Sequence, residues 1–159
     1  MNRDYTAIVR ALPPDIRRQS RDERMRLVVD ALWNALHDKG VSWVGFYIDQ
    51  LGAADGERMI LGPRRDKPAC SPIGLHGACG QALVSGKVLI VRDVADLGPN
   101  YIACDPRDRS EIVIPLIDQS GDGGGEGCWG VLDVDSWDVG AFDERDAEGL
   151  ISVLRAAGL

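Results

Sequence analysis

The sequence lacks a long apolar run, a basic surplus and a paired-cysteine metal motif, and each absence closes off a class of function. No stretch approaches the length needed to span a membrane. The start, Met1-Asn-Arg-Asp-Tyr5, is charged and has no apolar leader core, so a soluble cytosolic protein with no membrane partner is expected. Acidic residues outnumber basic ones 25 to 18, for a net charge of −7. A nucleic-acid surface needs a basic patch, so no nucleic-acid partner is expected. The arginines at Arg17-Arg18 and from Arg21 to Arg26 are interleaved with acids in a helical segment and read as a solvated face. No C-x2-C pair occurs among the four cysteines, and a Cys/His zinc site through His76 and Cys79 has no spacing in its favour. No metal or resident cofactor is therefore expected. The Gly-rich stretch from Gly121 to Gly127 is not followed by Lys-Ser/Thr, so it reads as a flexible loop and not a phosphate cradle. Repeats and linkers are absent, and residues 1–159 read as a single domain.

What is present reads as alternating layers. Asp4 to Leu12 is helical up to Pro13-Pro14. Ser20 with Glu23 forms a capping box, and Met25, Leu27, Val28, Leu32, Trp33 and Leu36 trace one apolar stripe that ends at Gly40. Strands are expected over Val41–Asp49, Met59–Leu61, Val88–Val91, Glu111–Ile117 and Trp129–Val134, with a short helix from Gly77 to Val84 and a closing helix from Asp143 to Ala157. Residues 63–75 and 97–109 read as irregular. Short connections favour antiparallel pairing, and the terminal helices must cover one face of the sheet. The class is α+β.

Candidate chemistry begins with the thiols. Cys70, Cys79 and Cys104 each stand beside Gly, Pro or charged residues and not inside an apolar run, the placement of reactive cysteines. Structural disulfides are rare in the cytosol, so such a set points to catalysis or redox chemistry, against three unrelated loop cysteines. Cys104 lies in a polar loop. Cys79 stands at a helix start, where the dipole favours a thiolate. Cys128 opens an apolar strand and reads as a buried structural thiol. Asp133 and Asp135 are two apart on a strand and share a face. Side by side on a buried strand they cannot both ionise cheaply, and Glu111 joins them if the two strongest strands pair. The plainer alternative makes Asp135 a turn cap and leaves Glu111 solvated. Trp43 and Tyr47 face the same way, as a wall for a methyl or thioether group or as core packing.

Several runs carry a resemblance: Trp43-Val-Gly-Phe-Tyr47, Leu61-Gly-Pro, Lys67-Pro-Ala-Cys70, Gly77-Ala-Cys-Gly80, Ile102-Ala-Cys-Asp105, Ser110-Glu-Ile-Val-Ile-Pro115 and Gly130-Val-Leu-Asp-Val-Asp-Ser136. Together they resemble the GAF-domain family of free methionine-(R)-sulfoxide reductases. The resemblance implies a GAF-like fold, a central antiparallel sheet of about six strands with the terminal helices on one face and a pocket formed by loops and short helices on the other. It implies Cys104 as nucleophile, Cys79 as resolving cysteine and Cys70 as an auxiliary resolving thiol. The Gly74–Gly80 run and the interval from Cys70 depart from the family pattern, so Cys79 and Cys70 both stand as partners for Cys104. Glu111, Asp133 and Asp135 would hold the substrate ammonium and protonate the sulfoxide oxygen, and Trp43 and Tyr47 would line the methyl-sulfinyl end. The implied partners are free methionine sulfoxide and thioredoxin as reductant, with a homodimer permitted by the terminal helices. The rival readings are a GAF small-molecule sensor without turnover and a structural dimerisation module.

Overall fold

Among the described residues, five antiparallel strands form one sheet, close to the six or so expected, in the spatial order Met59–Arg65, Trp43–Asp49, Cys128–Ser136, Ser110–Ile117, Leu89–Val91. A computed structural model describes residues 3–66, 68–118 and 127–159, so most of the Gly121–Gly127 loop lies outside the described residues. The strands are β1 (Trp43–Asp49), β2 (Met59–Arg65), β3 (Leu89–Val91), β4 (Ser110–Ile117) and β5 (Cys128–Ser136). The helices are α1 (Tyr5–Ala11), α2 (Arg21–Leu36), α3 (Ala78–Ser85) and α4 (Glu144–Ala157).

Strict alternation divides the sheet into two faces. Val44 and Phe46, Ile112, Ile114 and Leu116, and Leu132 and Val134 point to one side and pack against α1, α2 and α4. This is the main core; each fully buried aliphatic side chain there contributes roughly 1.5–3 kcal/mol. The intervening residues point to the other side, beneath α3 and the loops around it.

Local signals set the helix ends. Asp4 accepts from the Ala7 N–H at 2.9 Å, and Ser20 accepts from the Glu23 N–H at 3.3 Å. Asp143 and Asp146 cap α4 reciprocally. Gly86 and Gly158 end α3 and α4 in the left-handed conformation. On α2 the stripe is buried at Met25, Val28, Val29, Leu32 and Leu36, whereas Leu27 and Trp33 lie at its margin.

One boundary differs from expectation. β2 continues to Arg65, with Val44 paired to Arg65, where irregular chain was expected from residue 63. Pro63 reads as a strand breaker, but β2 is an edge strand, where a missing N–H can face away from the ladder.

Candidate active site

The register of the sheet assembles the acids. Asp135 lies between Trp43 on β1 and Glu111 on β4, and Asp133 lies between Gly45 and Val113. Glu111, Asp133 and Asp135 thus meet on the face beneath α3, with one carboxylate oxygen from each within 4.8 Å of the other two. A cation, whether an ammonium or a metal ion, could bridge such a set. Among the described residues, no arginine or lysine forms an ion pair with any of the three. Glu111 Oε1 and Asp133 Oδ1 are buried and have no hydrogen-bond partner.

Burial raises all three proton affinities, and the charges of neighbouring acids add to it. Burial pushes Asp133 up to about 7, with the adjoining Cys79 thiol pulling it the other way. Burial, then the Asp133 charge, raises Glu111 well above the usual carboxylate range. Burial, with Asp133 and Glu111, does the same to Asp135. A carboxyl held neutral at pH 7 can donate a proton.

The aromatic wall forms on the same face. The Trp43 and Tyr47 rings stack with centroids 6.0 Å apart. Gly45 between them makes this possible, because a Cβ there would come within 2.4 Å of the Trp43 ring. Trp43 Nε1 is a third buried polar atom without a partner. Donor and acceptors therefore surround one cavity, open at its mouth, which Cys79, Tyr101, Ile102, Cys104 and Asp108 also line.

The thiols separate into a pair and two singles. Cys70 and Cys104 form a disulfide with Cα atoms 5.4 Å apart. The Tyr47 hydroxyl donates to the Cys70 carbonyl at 2.9 Å and so ties that segment to the wall. The Cys104 loop is pinned beyond its cysteine: Asp105 accepts from the Arg107 guanidinium at 2.7 Å, and the Arg109 N–H donates to the Ser136 carbonyl at 2.8 Å. Cys79 is free and 5% exposed. Burial, then the Asp133 and Glu111 charges, raises its thiol well above its ordinary value. The helix-start reading of Cys79 as a favoured thiolate is thereby corrected, because desolvation and two acids outweigh the end of a short helix. Of the two partners left open for Cys104, Cys70 is the one bonded to it. Cys128 is only half-buried, not enclosed as its apolar strand suggested, because it sits at the sheet end where β5 begins.

Sequence reasoning missed Asp108, Tyr101 and Ile102. Tyr101 and Ile102 flank the cavity from the Cys104 loop, and a Cβ on Gly77 would come within 2.7 Å of Ile102. Asp108 was visible as an acid four residues past Cys104, but a loop has no period to reveal where its side chain points.

Comparison with known proteins places the chain. A family model described as GAF domain matches residues 18–159. The free methionine-R-sulfoxide reductase of Saccharomyces cerevisiae is 38% identical over 75% of this chain and 63% of its own length. That of Escherichia coli is 36% identical over 69% of this chain and 60% of its own, so the matched segments span under two thirds of both relatives. A solved structure of free methionine-R-sulfoxide reductase from Neisseria meningitidis in complex with its substrate is 31% identical. It superposes with a TM-score of 0.74 over 99% of this chain and 90% of that one. The chain belongs to the GAF-domain family of free methionine-R-sulfoxide reductases.

Proposed function

We propose that the chain reduces free methionine (R)-sulfoxide to methionine, with Cys104 as nucleophile and Cys70 as the thiol that resolves it. The observation that carries this reading is the Cys70–Cys104 disulfide beside a cavity with three clustered acids, Glu111 and Asp133 buried and Asp135 half-buried, and no counter-charge among the described residues. The named relatives support the substrate.

In the proposed reaction the Cys104 thiolate attacks the sulfoxide sulfur. A neutral carboxyl of the Glu111, Asp133 and Asp135 set protonates the sulfinyl oxygen. The hydroxyl then passes from the substrate sulfur to Cys104 Sγ: the substrate S–O bond and the transient bond between the two sulfurs break as the Cys104 S–O bond forms, so methionine leaves and Cys104 becomes a sulfenic acid. The Cys70 thiolate then attacks Cys104 Sγ, water departs, and the disulfide closes. A dithiol protein of the thioredoxin class supplies the two electrons and two protons that restore both thiols. Cys79, buried and poorly ionised, stays outside the main cycle.

Substrate selection follows from charge. The α-ammonium of a free amino acid neutralises buried carboxylates, whereas an acylated nitrogen cannot. The unpartnered buried donor Trp43 Nε1 serves an oxygen of the substrate, and the Trp43–Tyr47 wall takes the methyl end. The test is NADPH consumption through thioredoxin and its reductase with both epimers of the free and the N-acetylated sulfoxide. Turnover is expected for the free (R)-epimer and is abolished in Cys104→Ser. No turnover of the free (R)-epimer by wild type, or equal turnover of the N-acetylated form, would overturn the proposal.

A further inference from the structure

Asp108 is a fourth carboxylate on the cavity wall, and it comes from the loop that carries Cys104. It is 8% exposed. Its Oδ1 accepts from the Ser42 hydroxyl at 3.2 Å across 66 residues of sequence. Ser42 also donates its backbone N–H to the Asp135 carbonyl at 2.9 Å. One serine thus joins the nucleophile loop to the acidic end of β5, just before β1 begins.

We propose that Asp108 is a specificity-determining residue of this enzyme, a carboxylate clamped by Ser42 that supplies negative charge to the subsite for the amino end of the substrate. The inference rests on the reaction proposed above. The groups that face Asp108 are mostly acids: Asp105 on its own loop, and Glu111, Asp133 and Asp135 on the sheet. Arg107, a nearby cation among the described residues, is engaged with Asp105 and lies over the Trp137 ring. Burial, then the Asp105 charge, brings Asp108 up to about 6, with Ser42 and Arg107 opposing the rise. Asp108 so adds carboxylate charge from the loop to a site whose other three acids stand on the sheet. The field acts on a cation and leaves a neutral acylated nitrogen unaffected, so it separates the two substrates.

The experiment compares Asp108→Asn, Asp108→Glu and Ser42→Ala with wild type, using the free sulfoxide and its N-acetyl form. In Asp108→Asn the KM for the free amino acid is expected to rise about three- to ten-fold with kcat little changed, as loss of uniform binding requires. The N-acetyl substrate's kcat/KM is expected to stay the same, so discrimination narrows. Asp108→Glu keeps the charge and restores discrimination, and Ser42→Ala gives a smaller shift in the same direction. An unchanged KM in Asp108→Asn, or an equal loss for both substrates, overturns the role of Asp108 while leaving the reaction intact. If Asp108→Asn does not fold, an unaltered KM in Ser42→Ala overturns it instead. Wild-type protein without turnover of the free amino acid would remove both proposals.

Discussion

Reduction of the Cys70–Cys104 bond should cost the fold a readable amount of stability. The bond closes a loop with a sequence separation of 34. In the chain-entropy treatment such a loop removes about 13 cal/mol/K from the unfolded chain, or about 4 kcal/mol at 25 °C. For a chain of 159 residues, each kcal/mol moves the melting midpoint by roughly 2–4 °C. Oxidised wild type is therefore expected to melt about 8–16 °C above protein held in excess reductant. The assay is calorimetry or circular dichroism in paired oxidised and reduced samples of wild type, Cys70→Ser, Cys104→Ser and Cys79→Ser. Cys70→Ser and Cys104→Ser should melt near reduced wild type and ignore the reductant. Cys79→Ser should keep the full difference, because its thiol is buried and unbonded. If Cys79→Ser loses the reductant effect while Cys70→Ser retains it, the pairing used in the proposed mechanism is wrong.

Titration offers a second check. Asp133 lies at about 7 in the folded chain, against about 3.9 unfolded. The folded state holds this proton more tightly, so the contribution is complete below the unfolded value and disappears as pH rises from about 4 to about 7. Its size is at most about 4 kcal/mol. Wild type without ligand should lose stability across that window, and Asp133→Asn should flatten the loss while abolishing most activity; equal pH slopes for the two proteins in thermal melts would refute this. Gly45→Ala puts a methyl within 2.4 Å of the Trp43 ring, which should cost about 1–3 kcal/mol of stability and raise KM as the indole swings away; an unchanged melt and KM would show that the ring does not rest on the glycine. Tyr47→Phe removes the bond to the Cys70 carbonyl, worth about 0.5–1.5 kcal/mol. Single-turnover thiol counting should show slower disulfide closure with methionine release unaffected.

Much of this protein is written locally in its sequence. The N-caps at Ser20, whose hydroxyl accepts from the Glu23 N–H without a return bond from the Glu23 side chain, and at Asp143, with the left-handed glycines at 86 and 158, act within one turn, so they are legible without the fold. The alternation along β4 and β5 also placed Asp133 and Asp135 on one face, because a strand repeats every two residues. The motifs around the cysteines disclosed the family. Tertiary structure decided what depends on distance. Pairing β4 with β5 turned Glu111 from a strand opener into the neighbour of Asp135. Packing α3 onto the sheet buried Cys79 beside Asp133 and overrode its place at a helix start. Loop folding chose Cys70 as the partner of Cys104 and turned Asp108 into the cavity. Loops carry no periodicity, and burial is set by residues far along the chain, so neither choice can be made from neighbours in sequence.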